Sequence, residues 1–306
     1  MALLNFRRSV PSQQPQDAQV EALMQDFSIE VMPRTAEKIA DFRAILPQGT
    51  RVYIAHIEGT PITDMVATAV RLRAAGMEPM PHFPARIIAD KAELGEWVAR
   101  YQGEADVRQA LMLGGGVTTP KGAYDNSMQL LESGLFDRFR RLHVAGHPEG
   151  NRDIAPDGGK EIILEALRWK QDFARAHGIE MAIVTQFAFD AKPIITWTEG
   201  LRERGITLPV HLGIAGPAKL QTLIKFAIAC GVGPSLKVLQ KRAKDVSKLL
   251  LPFEPTELVS ELAAHKAATP DFAIERLHFF PLGGIKANTD WTQAHGGASA
   301  QPASNH

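Results

Sequence analysis

Eight short apolar, β-branched runs recur along this chain: Phe27 to Met32, Val52 to Ala55, Met77 to His82, Val107 to Leu113, Leu142 to Ala145, Met181 to Gln186, Pro209 to Ile214 and Ile274 to Phe280. Runs of this length and composition are strand signals. Nearly every interval between them holds a helix-like segment, namely Thr35 to Leu46, Thr63 to Ala75, Lys91 to Tyr101, Lys160 to His177, Ile194 to Arg204 and Ala218 to Cys230. Gly76, Gly178 and Gly205 stand just before a strand, in RAAG-MEPM, RAHG-IEMAIV and RERG-ITLPV, where a helix can end in a left-handed residue. Alternation of this kind gives a parallel sheet, open or closed, and a count of eight favours closure. An open dinucleotide-binding sheet would advertise G-x-G-x-x-G after its first strand, whereas SIEVMPR carries no glycine.

The expected fold is therefore an α/β protein, a single-domain (β/α)8 TIM barrel spanning residues 26–285. Residues 1–25 are polar and proline-bearing, and residues 286–306 are rich in Gly, Ala, Ser and Asn. Both are expected to be flexible and outside the core, as an N-terminal extension and a C-terminal tail. The long interval from Gly231 to Ala273 is expected to carry additional helices.

Charge narrows the partners. Lys plus Arg and Asp plus Glu number 34 each, and no basic run builds the field that a nucleic acid or an anionic membrane would require. The one cysteine, Cys230, cannot form an intrachain disulfide, and its apolar surroundings from Phe226 to Val232 suggest a buried small hydrophobe in a reducing compartment. The N-terminus MALLNFRRSV places arginines after a very short apolar run, the reverse of a signal peptide, and no 18-residue uncharged apolar stretch follows. A cytoplasmic protein is expected.

In such a barrel the site forms at the C-terminal ends of the strands. Period-two alternation in the first strand sets Ser28, Glu30 and Met32 opposite Phe27, Ile29 and Val31, so Glu30 points inward, where burial would raise its pKa into the range of a general acid. A structural ion pair is the alternative for Glu30. His82 and Arg86 end the third strand and could meet an anion, or His82 could be a hydrogen-bonded core residue. After the fourth strand, Gly114, Gly115 and Gly116 would let backbone N–H groups approach a ligand, or form an ordinary turn. The fifth strand ends in HVAGHPEGNRD, which gathers His143, His147, Glu149, Asn151, Arg152 and Asp153. Gln186 ends the sixth and could hydrogen-bond a heterocycle.

Taken together, SIEVMPR, the glycine loop, VAGHPEGN, IVTQFAFD and HLGIAGP resemble, in this order, the methylenetetrahydrofolate reductase family, of the short, catalytic-barrel-only type. The resemblance covers roughly residues 26 to 285. It implies a barrel that binds FAD and passes hydride from NADH or NADPH through the flavin, interconverting 5,10-methylenetetrahydrofolate and 5-methyltetrahydrofolate in one-carbon metabolism and methionine biosynthesis. Carried over by position, Glu30 is the acid that protonates the folate ring nitrogen. Gln186 contacts the pterin, and His56, His82, Gly114, Gly115, Gly116, Tyr124, Ala145, His147, Asn151 and Lys170 fall on flavin-binding positions. The resemblance also implies a homo-oligomer.

Several positions depart from the family pattern. The triplet Gly114 to Gly116 stands where many members have Arg-Gly-Asp, and loss of that acid would raise the flavin potential, suiting a methyltetrahydrofolate-oxidising enzyme. His147 replaces a tyrosine, and Leu220 an aromatic expected to stack on nicotinamide or folate. Lys286 takes the place of an arginine, aligned with Gly284, that contacts the folate glutamate tail. Two further readings stand beside this one. His82, His143, His147, Glu149, Asp153 and His211 suit a metal-dependent barrel hydrolase, although Pro148 opposes a helical pairing of His143 with His147. The missing acid and aromatic suit a folate or flavin carrier without catalysis.

Overall fold

The computed structural model describes residues 15–230, 233–243 and 252–298. Expectations for residues 1–14 and 299–306 lie outside the described residues. Eight strands form, β1 (Ser28–Val31), β2 (Arg51–Ile54), β3 (Glu78–Pro84), β4 (Gln109–Leu113), β5 (Arg141–Gly146), β6 (Glu180–Ala188), β7 (Val210–Ala215) and β8 (Ile274–Phe280). They pair in chain order, all parallel, and β8 closes onto β1 through Ser28↔His278 and Ile29↔Phe279. The chain is a (β/α)8 barrel.

Alternation along each strand builds two separate interiors. Ile29 and Val31, Val52 and Ile54, Ala110 and Met112, and Leu142 and Val144 face outward and pack with Leu72, Leu94, Leu167, Ile194 and Leu262 of the surrounding helices. Truncating such a residue to alanine costs about 2–5 kcal/mol. Tyr53, Met80, Leu111 and Val184 turn the other way and form a small cluster inside the barrel. Gly76, Gly178 and Gly205 have φ of 77°, 65° and 73°, the left-handed helix ends that their sequence positions suggest. The helices that follow β3, β4 and β6 start at side-chain caps. Asp90 accepts from Glu93 N–H, Asn126 from Met128 and Gln129 N–H, and Asp190 from Lys192 N–H. Each cap fixes where a mouth loop must end.

Four sequence expectations need correction. The segment Thr35 to Leu46 is not one helix, but a single turn at Pro33–Ala36 and a 3₁₀ turn at Phe42–Ala44. Asp41, extended at φ −143°, spends its carboxylate on Arg43 N–H and so interrupts a continuous helix. The proposed N-terminal extension is not wholly outside the core, since Pro15–Met24 is a helix and Leu23 and Met24 are buried in the main core. The proposed tail likewise holds the helix Ile285–Ala294, whose Trp291 packs at a tilt against Phe279 and donates to Thr256 Oγ1 at 3.3 Å. In both segments a few large apolar side chains decide the outcome against a polar average. Cys230 is exposed, because it follows the last turn of Leu220–Ala229 on that helix's outer side.

The interval after Gly231 contains the helices Gly233–Ala243 and Thr256–Ala268. Among the described residues, no helix is long and apolar enough to cross a membrane.

Candidate active site

Three strands that are far apart in sequence meet at Glu30. From β1 its Oε2 lies 3.4 Å from Nε2 of His82 on β3 and 3.8 Å from Nε2 of His278 on β8. Both separations exceed a full hydrogen bond, so the carboxylate is held between two imidazoles without being locked to either. His278 is fixed from behind by Ser28 Oγ, 3.0 Å from its Nδ1. Burial, the largest influence, would push Glu30 up, but the two imidazole N–H groups of His278 and His82 aimed at the carboxylate together outweigh it and lower the carboxyl to about 2. The expected raised pKa is thus overturned: Glu30 rests as a carboxylate. His278 is a residue that sequence reasoning missed, although the alternation in ERLHFFP places it on the same side as Phe280, facing inward.

A second polar group lies deeper. The Tyr53 hydroxyl sits 2.5 Å from Nδ1 of His143, and the His143 and His211 rings meet edge to face with centroids 4.6 Å apart. His211 Nε2 reaches Glu275 Oε2 at 2.9 Å. His143 and His211 meet deep in the barrel, whereas His147 lies beyond the end of β5, so the histidines invoked for a metal hydrolase do not gather at one point. Among the described residues, no group of three or more His, Cys, Asp or Glu is arranged to hold a metal ion.

The buried histidines predict acid sensitivity. Burial pushes His143 down, and brings His147 and His211 to about 4, aided at His147 by the nearby Lys170 charge and opposed at His211 by Glu275. Between pH 6.5 and 4 the folded protein therefore binds fewer protons than the unfolded chain. The stability from keeping these rings neutral is complete above 6.5 and lost as pH falls toward 4. For fully buried His211 this amounts to about 3 kcal/mol. Urea midpoints should fall steadily from pH 7 to pH 4.5, and a flat profile would contradict the assignment.

The positions assigned to flavin divide into three groups. His56 packs against Trp97 with centroids 4.7 Å apart and ring planes tilted by 32°, and has Nε2 3.0 Å from the Thr60 carbonyl, while its buried Nδ1 has no partner among the described residues. Gly115 takes φ 103°, and a Cβ there would lie 3.2 Å from Pro84 Cβ, whereas Gly116 has open space around it. Tyr124 is buried nearby in sequence and Ala145 is half-buried. The third group follows β5. His147 Nδ1 lies 3.4 Å from Asn151 Nδ2, and Lys170 reaches in from the helix Glu161–His177. Lys170 is buried and has no ion pair among the described residues, and burial lowers it to about 8.

The positions assigned to folate fare differently. Gln186 is exposed at a β-bulge between Val184 and Phe187, where Thr185 Oγ1 donates to the Gln186 carbonyl and accepts from Gly213 N–H. Leu220 is buried against Phe187, Phe189 and Leu223, so it offers no exposed face on which a ring could stack. Lys286 is exposed and bonded to Asp290, 2.7 Å away on its own helix. It is already paired without any ligand.

No family model matches the sequence. Among solved structures, the chain is similar to an uncharacterized protein from Clostridium thermocellum that binds two copies of 5-methyl-5,6,7,8-tetrahydrofolic acid. The match covers 90% of this chain and 98% of that one, with a TM-score of 0.53 and 10% identity. The likeness is one of fold. At that identity it establishes the shared barrel and nothing about residues or ligands.

Proposed function

We propose that this chain is a flavoenzyme that binds a reduced folate at the barrel mouth and interconverts 5,10-methylenetetrahydrofolate and 5-methyltetrahydrofolate. The observation that carries the reading is the Glu30 carboxylate between His82 and His278, a proton-handling group at the end of β1 where barrel enzymes work. The folate-binding barrel of the Clostridium thermocellum protein supports the substrate class.

The residues present fit FAD. Lys170 is a buried cation without an anionic partner among the described residues, and the space around Gly116 lets a ligand approach the backbone. Lys170, His147 and Asn151 would hold the anionic part of the flavin, with Gly114 to Gly116, His56, His82, Tyr124 and Ala145 lining the rest. When bound, the flavin supplies hydride transfer. The protein's share is proton management: in the reducing direction Glu30 must gain a proton and give it to the folate ring nitrogen, and in the oxidising direction its carboxylate takes that proton as the ring closes.

Glu30 held near 2 favours the second direction, because its resting form is already the acceptor. We therefore read the protein chiefly as a methyltetrahydrofolate-oxidising enzyme of one-carbon catabolism, with NAD+ or NADP+ as the electron acceptor in that direction and NADH or NADPH as the donor in the reducing direction. Reconstitution tests the cofactor. Purified protein mixed with FAD and passed through a desalting column should retain about one flavin per chain, and a chain that retains none in any buffer sinks the flavoenzyme reading.

A further inference from the structure

Three mouth loops meet at one arginine. Arg86, in the 3₁₀ turn Ala85–Ile87 after β3, donates through Nε to Asp125 Oδ1 and to the Asp125 carbonyl, each at 2.9 Å. Through Nη1 it donates to Asp153 Oδ2 at 2.6 Å and to the Val117 carbonyl at 3.2 Å. Asp125 and Val117 belong to the loop after β4, and Asp153 to the loop after β5. The Arg86 side chain is only 12% exposed, whereas Asp125 and Asp153 are half-exposed, so the guanidinium is held in place by the loops while water still reaches the carboxylates.

The loops are not held alike. The loop after β4 is stitched to the one after β3 by backbone bonds: Arg86 N–H to the Gly114 carbonyl, Lys121 N–H to the Arg86 carbonyl, and Ala123 N–H to the Ala89 carbonyl. Gly122 sits so close that a Cβ would come within 1.8 Å of the Ala89 oxygen. The loop after β5 is organised from within. Gly150 N–H donates to the His147 carbonyl, and Asn151 Oδ1 accepts from Asp153 and Ile154 N–H. The bond from Arg86 to Asp153 joins this self-folded loop to the stitched pair.

We infer that Arg86 is a positioning residue that latches the loop after β5, and with it His147 and Asn151, against the Gly114–Gly116 edge, and that release of this latch governs how fast an anionic ligand leaves. The identity of that ligand as FAD rests on the function proposed above. The latch itself does not.

Hydrogen–deuterium exchange of the full chain separates the two. In Arg86→Gln and, independently, in Asp153→Asn, exchange across residues 147–158 should rise about 10- to 100-fold, as expected for loss of a charged hydrogen bond. Residues 121–123, held by backbone bonds, should be unchanged in Asp153→Asn. Asp153→Asn removes only one exposed carboxylate charge and serves if Arg86→Gln fails to fold. FAD release from Asp153→Asn should accelerate by a similar factor. Unchanged exchange across 147–158 in Asp153→Asn overturns the latch, and faster exchange there with an unchanged rate of FAD release overturns its control over ligand departure. If the wild type takes up no FAD, the exchange data still decide the latch, and only the flavin reading falls.

Discussion

Glu30→Gln should slow the flavin–folate reaction by about 10²–10⁴-fold, the usual range for losing a general acid or base, while FAD uptake and flavin reduction by a nicotinamide stay as in the wild type. Glutamine keeps the shape of the side chain but can neither hold nor release the proton. Because Glu30 meets His82 and His278 and not Lys170, His147 or Asn151, the substitution separates proton transfer from the binding of the flavin's anionic part. Anaerobic single-turnover measurements with 5-methyltetrahydrofolate read the effect directly. A loss smaller than about tenfold would remove Glu30 from the chemistry. The oxidising rate of the wild type should also hold between pH 7 and pH 6, since His82 and His278 hold the Glu30 carboxyl below the usual carboxylate range. An oxidising rate that falls away below neutral pH in fully folded protein would place a different group in the acceptor role.

Lys170→Met should stabilise the protein without cofactor and cripple its uptake of FAD. The buried ammonium has no ion-pair partner among the described residues, and burial alone lowers it from 10.5 to about 8. Its folded pKa lies below the unfolded one, so the folded state is penalised for the charge. That penalty is complete below pH 8 and relieved as pH rises from 8 to 10.5. A shift of this size corresponds to about 3 kcal/mol, of which a well-packed methionine should recover about 2 kcal/mol at pH 7. The Tm of the wild type should accordingly gain on the variant between pH 8 and 10. Added FAD should reverse the order at neutral pH, raising the Tm of the wild type alone. A variant that is destabilised, or that binds FAD as tightly as the wild type, would contradict the assignment of Lys170 as a cation kept for an anionic ligand.

The barrel was legible because its signals are local. Short apolar, β-branched runs mark all eight strands, and Gly76, Gly178 and Gly205 mark helix ends from their immediate neighbours. The segment Thr35 to Leu46 misled for an equally local reason, the competition of Asp41 for Arg43 N–H, which a helix-period pattern does not register. The site was legible only in part. Glu30 and His82 follow from strand-end logic, but His278 reaches Glu30 only because β8 closes onto β1, and Ser28 and His278, which bond directly, stand 250 positions apart. No sequence window contains that contact.

Burial was the other blind spot. The resemblance puts Leu220 at a substrate-binding position where an aromatic would stack, yet Leu220 turns into the cluster with Phe187 and Phe189. The direction of the Glu30 shift was hidden for the same reason. Desolvation can be expected from an inward position, but the two imidazoles that overcome it come from other strands.

The measurement that bears most directly on the proposed function is the visible spectrum of FAD-reconstituted protein titrated with 5-methyltetrahydrofolate in the absence of oxygen. The oxidised flavin band should bleach to completion in the wild type and persist in Glu30→Gln. A wild-type protein that holds its flavin through the titration without bleaching would contradict the claim that Glu30 and the flavin act together on a folate.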